Sequence, residues 1–209
     1  MSEYSDRPFR LERLPDLTTR KIALGVAGVL GAVGLAFLFR TGKAPEPAFE
    51  LEREDGAFAI RRYPDLVTAD VARRGRRKAA LDDGFGALAD YIFAKNRRGP
   101  KLAMTAPVLS DGAGSDGWRT RFVMPAGAAL ATLPAPAAGV TLAALPARRV
   151  AAVAFSGRAD DALLAEQETR LRTWLAKQGI APGGTVEYAF YDPPWRPGPA
   201  RRNEVLLPL

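Results

Sequence analysis

Two runs far apart in this chain hold most of its chemistry: Lys101-Leu-Ala-Met-Thr-Ala-Pro-Val108 and Tyr191-Asp-Pro-Pro-Trp195, the latter followed by Arg201-Arg-Asn-Glu-Val205. Neither resembles a catalytic device. Each mixes rigid proline, apolar side chains and a few cationic or hydroxyl groups, the composition of an apolar pocket with a polar rim. Met104 and Met124 offer soft, adaptable walls. Lys101, Arg201 and Arg202 can form charge-assisted hydrogen bonds to carboxylates. The acid–base candidates are Glu187, Glu204, Tyr188 and Tyr191, and no motif orders them.

The absences are equally informative. The 209 residues include no Cys and no His. No imidazole base is available for Ser-His-Asp or Cys-His catalysis, and the thiolate and imidazole ligands of ordinary zinc sites are missing. The formal charge of +7 is spread along the chain, with +3 of it in residues 1–43. One dense cluster stands out, Arg73-Arg-Gly-Arg-Arg-Lys78. It is read first as a solvated strand-to-helix junction and second as a contact for an anionic partner; nucleic acid is not expected.

Elements that would position these residues follow from periodicity. Phe58, Ile60 and Arg62 alternate with Ala59, Arg61 and Tyr63, as in a half-buried strand. Leu66–Arg74 reads as a second strand. Leu81, Phe85, Leu88 and Ile92 then recur at helical spacing and predict a helix from Arg76 to Lys95. Leu102–Leu109 and Trp118–Met124 return to strand character across a Gly-rich turn.

The order repeats. Val140–Leu145 and Arg148–Phe155 are expected strands. Asp160 is an expected N-cap for a helix whose apolar face is Leu163, Leu164, Leu171, Trp174 and Leu175, ending at Gly179. Val186–Tyr191 and Asn203–Leu207 close the set. Two ββαββ halves predict an α+β fold: a distorted antiparallel β-barrel of eight or so strands with two helices packed on it, over residues 49–209.

Before this domain lies an unbroken run of 18 apolar or Gly residues, Ile22 to Phe39. That length suits a single transmembrane helix. Arg7, Arg10, Arg13, Arg20 and Lys21 precede it; Arg40, Lys43 and Arg53 follow. The bias predicts a cytoplasmic segment at 1–21, an anchor at 22–39, a linker at 40–48 and a periplasmic or extracellular domain. No small-x-small site closes the run, which argues against a cleaved signal peptide.

Together with Tyr91-Ile-Phe93, Arg121-Phe-Val-Met-Pro125, Leu133-Pro-Ala-Pro136 and Phe155-Ser-Gly157, the two opening runs resemble the SOUL family of haem-binding proteins in order and spacing, from about Phe49 to Leu207. The resemblance implies the two-half fold reached above. It also implies a b-type, non-covalent haem held in a hydrophobic cleft between the first helix and a C-terminal loop. Matching helix positions are Phe85, Leu88, Ala89 and Ile92; matching loop positions include Tyr191 and Trp195. Lys101, Arg201 and Arg202 would meet the propionates, with Met104 and Met124 as walls. Some members hold iron through His, which this chain lacks. The leading expectation is a monomeric, membrane-tethered, non-redox tetrapyrrole carrier or scavenger, with no catalytic residues and no metal site of its own. Two alternatives stand beside it: a binder of another amphipathic or lipid-like molecule, and a small-molecule hydrolase of the related gyrase-inhibitor-like fold.

Overall fold

The computed structural model describes residues 44–209. The expected cytoplasmic segment and the expected anchor at 22–39 lie outside the described residues. Among the described residues no helix is long and apolar enough to cross a membrane. The elements are β1 (Glu50–Asp55), β2 (Phe58–Tyr63), β3 (Leu66–Arg74), α1 (Arg77–Ile92), β4 (Val108–Gly112), β5 (Gly117–Val123), β6 (Thr141–Leu145), β7 (Arg148–Ser156), α2 (Asp161–Lys177), β8 (Glu187–Phe190) and β9 (Arg202–Pro208).

All strands pair antiparallel in one sheet of order β1-β2-β7-β9-β8-β4-β5-β3-β6. Around the central β8–β4 pair, the order reads β8-β9-β7-β2 to one side and β4-β5-β3-β6 to the other. This is the two-half repeat expected from the sequence, with β1 added to one edge only. Each half sends its first strand to the other half: β2 pairs with β7, and β6 with β3.

Chain length dictates the shape. β2 and β3 lie six places apart in the sheet, about 29 Å if it were flat. They are joined only by Pro64 and Asp65, which reach about 11 Å at full extension. Pro146 and Ala147 join β6 to β7 under the same constraint. The sheet must therefore curl until both links lie together, and the Ala147 N–H donates to Asp65 Oδ1 at 2.7 Å. The expected barrel is corrected in one respect. Among the described residues β1 and β6 do not pair, so the sheet is barrel-like and open.

Both helices cover the convex face. α2 lies on β7 and β9, where Leu164, Leu171, Trp174 and Leu175 meet Ile60, Ala151, Val153, Val205 and Leu207. Its start is fixed as the sequence implied: Asp160 Oδ1 accepts from the Leu163 N–H at 2.9 Å. α1 lies on β3 and β5. Gly84 permits a close approach, since a Cβ there would stand 2.6 Å from Thr120 Oγ1.

Three boundaries differ from expectation. β4 begins at Val108 rather than Leu102, because the Ala106 N–H donates to Pro45 O and the Thr105 hydroxyl to Val123 O. α1 stops at Ile92, whose carbonyl accepts from Leu102 N. β1 has no counterpart in the sequence reading; its six residues are all exposed.

Candidate functional site

The strand alternation that sends apolar residues to the helices sends the other set into the concave interior. There Tyr63, Leu109, Val123, Val150, Ala152, Ala189 and Leu206 form a second core, with Leu66 and Tyr191 against it. Side chains of the same parity add four arginines and four carboxylates. Arg61 grips Glu204 with both Nη atoms, at 2.7 and 3.1 Å. Arg148 does the same to Glu187, at 2.5 and 2.8 Å. Arg119 pairs with Asp111 at 2.5 Å. Arg121 lies 3.4 Å from Asp70 and 3.6 Å from both Asp111 and Glu187.

With every group ionised this interior is electrically balanced. Its saturation is incomplete, since Asp70 Oδ1 and the Nε atoms of Arg61 and Arg148 are buried without a hydrogen-bond partner. Tyr191 donates to Glu204 Oε2 at 2.8 Å. Burial, reinforced by the Glu204 charge, pushes the Tyr191 hydroxyl far above its ordinary pKa. Burial also raises Tyr63, against the pull of Arg61.

Residues 44–49 cross the rim of this interior. Pro45 O accepts from Ala106 N at 2.9 Å. Glu46 takes Arg202 Nη2 at 2.5 Å, and Arg202 lies over the Tyr191 ring, 3.5 Å from its centroid. Phe49 stacks obliquely on Tyr63 with centroids 5.4 Å apart, while the Arg61 guanidinium stands 4.6 Å from the Phe49 centroid. Beside it opens a shallow cleft of about 400 Å³, lined by Ala48–Glu50, Arg62–Pro64 and Ala147–Arg149.

The residues singled out from sequence fall into three groups. Leu88, Ala89, Ile92, Met104 and Met124 are buried, and the half-exposed Phe85 packs edge-on against Phe122, centroids 5.2 Å apart. Trp195 is 48% exposed on the loop between β8 and β9. Lys101 is exposed within the α1–β4 connection. The cations are already engaged: Arg201 donates to the carbonyls of Pro194 and Arg196, and Arg202 holds Glu46. A local pair between Arg202 and Glu204 does not form; Glu204 belongs to Arg61 and Tyr191. The structure brings Tyr191 and Arg202 together. Among the described residues their side-chain hydrogen-bond and ring partners are Glu204, Glu46 and each other, not residues of α1.

The basic cluster at residues 73–78 is a junction, as first read. Arg73 pairs with Asp83, Lys78 with Asp82, and the buried Arg77 with Asp161 and the Ala159 carbonyl. Sequence reasoning missed Arg61, Arg121, Arg148, Asp70 and Asp111. Their only signal is parity within each strand, which does not reveal partners a hundred residues away.

Residues 44–208 match the family described as SOUL heme-binding protein. The chain belongs to that family. Curated protein sequences contain no significant match. Among solved structures, the SOUL domain resembles the EcmrR C-terminal domain (TM-score 0.58, 12% identity, 72% of this chain and 95% of that one). It also resembles EcmrR in a complex with DNA (0.57, 13%, 92% and 68%). A hydrolase from Listeria innocua follows (0.50, 12%, 79% and 93%). At these identities the likeness is one of fold.

The family implies a haem, and the residues of this SOUL domain suit its ring better than its iron. The whole chain has no His or Cys. Met104 and Met124 are 6% and 4% exposed, and Tyr191 is committed to Glu204. Among the described residues no cluster of carboxylates could hold a metal ion.

Proposed function

We propose that this SOUL domain is a carrier or scavenger that holds a tetrapyrrole by apolar stacking and carboxylate pairing, without a firm axial ligand. The observation that carries the reading is the family match over residues 44–208 in a chain with neither His nor Cys. The exposed Trp195, on a proline-rich loop whose carbonyls are gathered by Arg201, is the surface a flat ring would stack on. Lys101 supplies a cation for a propionate. A hydrolytic role is disfavoured because the carboxylates it would use are occupied: Arg61 holds Glu204 and Arg148 holds Glu187. The apolar run at residues 22–39 would tether the domain, with the preceding segment cytoplasmic; recovery of the full chain in the soluble fraction would refute the tether.

Titration with haem and with metal-free porphyrin tests the ligand. If iron contributes little, the two bind within about tenfold, a gap of about 1.4 kcal/mol. Trp195→Ala weakens both alike. Haem binding a hundredfold tighter would require an axial ligand and overturn this account. If neither binds, the surface serves another amphiphile.

A further inference from the structure

The segment over the concave rim has a composition of its own. Residues 45–49 read Pro-Glu-Pro-Ala-Phe, placing a carboxylate and a phenyl ring three residues apart, about 10 Å in extended chain. Each end meets the group that would recognise such a molecule. The Glu46 carboxylate is on Arg202, which is braced by the Tyr191 ring. The Phe49 ring meets both the Tyr63 ring and the Arg61 guanidinium.

We propose that residues 44–49 are an internal pseudo-ligand, covering a site that accepts an amphipathic aromatic carboxylic acid. Arg202 receives the carboxylate; Tyr63 and Arg61 receive the ring by stacking and cation–π attraction. The site uses neither Trp195 nor Lys101 and does not depend on the tetrapyrrole reading.

Three observations support displacement rather than permanent closure. The segment is lightly held: its described hydrogen bonds are one backbone bond at Pro45 and the ion pair at Glu46, whose side chains are 42% and 34% exposed for Arg202 and Glu46. Phe49 remains 41% exposed despite its ring contacts. Beneath the segment, the buried Nε atoms of Arg61 and Arg202 have hydrogens to donate and no acceptor. A ligand carboxylate, free of the chain that fixes Glu46, can take Nε and Nη2 of Arg202 together where Glu46 takes only Nη2.

The test uses the full chain, with 1-pyrenebutyrate as probe and its methyl ester as the uncharged control. A segment closed about nine-tenths of the time lowers apparent affinity about tenfold. Glu46→Gln should therefore tighten acid and ester alike, each by about tenfold, because both need the segment displaced. Arg202→Gln should abolish the preference for acid over ester. A synthetic peptide of residues 44–49 should compete with the probe on Glu46→Gln protein, a readout independent of any change in folding. Unchanged or weaker acid binding by Glu46→Gln, or a peptide that fails to compete, overturns the proposal. Haem titrated in parallel separates the two readings: affinity lost in Trp195→Ala but unmoved by Glu46→Gln supports the carrier reading, while the pyrenebutyrate and peptide results alone decide this site.

Discussion

On the convex side of β7, Ala151 and Val153 meet Leu164, Leu171 and Leu175 of α2. On its concave side, Val150 and Ala152 share an interior with Arg61, Arg148, Glu187 and Glu204. One strand thus separates two ways of stabilising a protein. The convex layer is held by apolar area removed from water, which is additive and tolerant of exchange. The concave layer is held by mutual pairing, where each charge is tolerable only because its partner is present. The helices make one side a scaffold; charge balance leaves the other able to recognise polar ligands.

Damage to the convex side should cost most. Trp174 is 7% exposed, stacks on Phe58 with centroids 5.2 Å apart, and donates Nε1 to Asp55 Oδ2 at 2.8 Å. Trp174→Ala should cost roughly 3–5 kcal/mol in chemical denaturation; an unchanged midpoint would show that α2 does not dock as described.

A cut through the charge layer should cost less and behave differently. Glu187→Gln leaves Arg148 and Arg121 short of a counter-charge and should cost about 2 kcal/mol. Adding Arg148→Met to a Glu187→Leu protein should recover part of the loss, because an uncharged pair needs no compensation. If single and double variants lose the same amount, the layer is not a pairing network.

The smallest effect is one of pH. Burial raises the Asp70 carboxyl above its ordinary 3.8, with the Thr68 hydroxyl and Arg121 offsetting this only in part. The folded protein then holds that proton more tightly than the unfolded chain, so stability falls as pH rises from 3.8 through the folded value. Asp70→Asn should match the wild type below that window and exceed it above. Melting curves taken across pH would reveal the divergence, and parallel curves would mean that Arg121 fully compensates the burial.

The convex side was legible in the sequence because its signals are local. Leu164, Leu171 and Leu175 announce a helical face, Asp160 its start, and the repeat of strand and helix the two halves. β1 was not legible, since Glu-Leu-Glu-Arg-Glu-Asp carries no apolar alternation and an edge strand guarded by charge needs none. The concave site was hidden for a different reason. Arg61 and Glu204 lie 143 residues apart, and their meeting depends on the register of every strand between them. Tyr191 and Arg202 were singled out for a ligand, yet Glu46, which occupies Arg202, looked like part of a linker.

The exchange of β2 and β6 between the halves has a consequence for the lineage of such a chain. A single ββαββ unit would leave the outer edge of its own second strand bare and its first strand extended, a reciprocal arm with nowhere to lie. Two copies satisfy each other. The domain is in effect a two-fold dimer with swapped arms written on one polypeptide, and a single polypeptide is free to carry β1 and the segment before it on one half while the other stays bare.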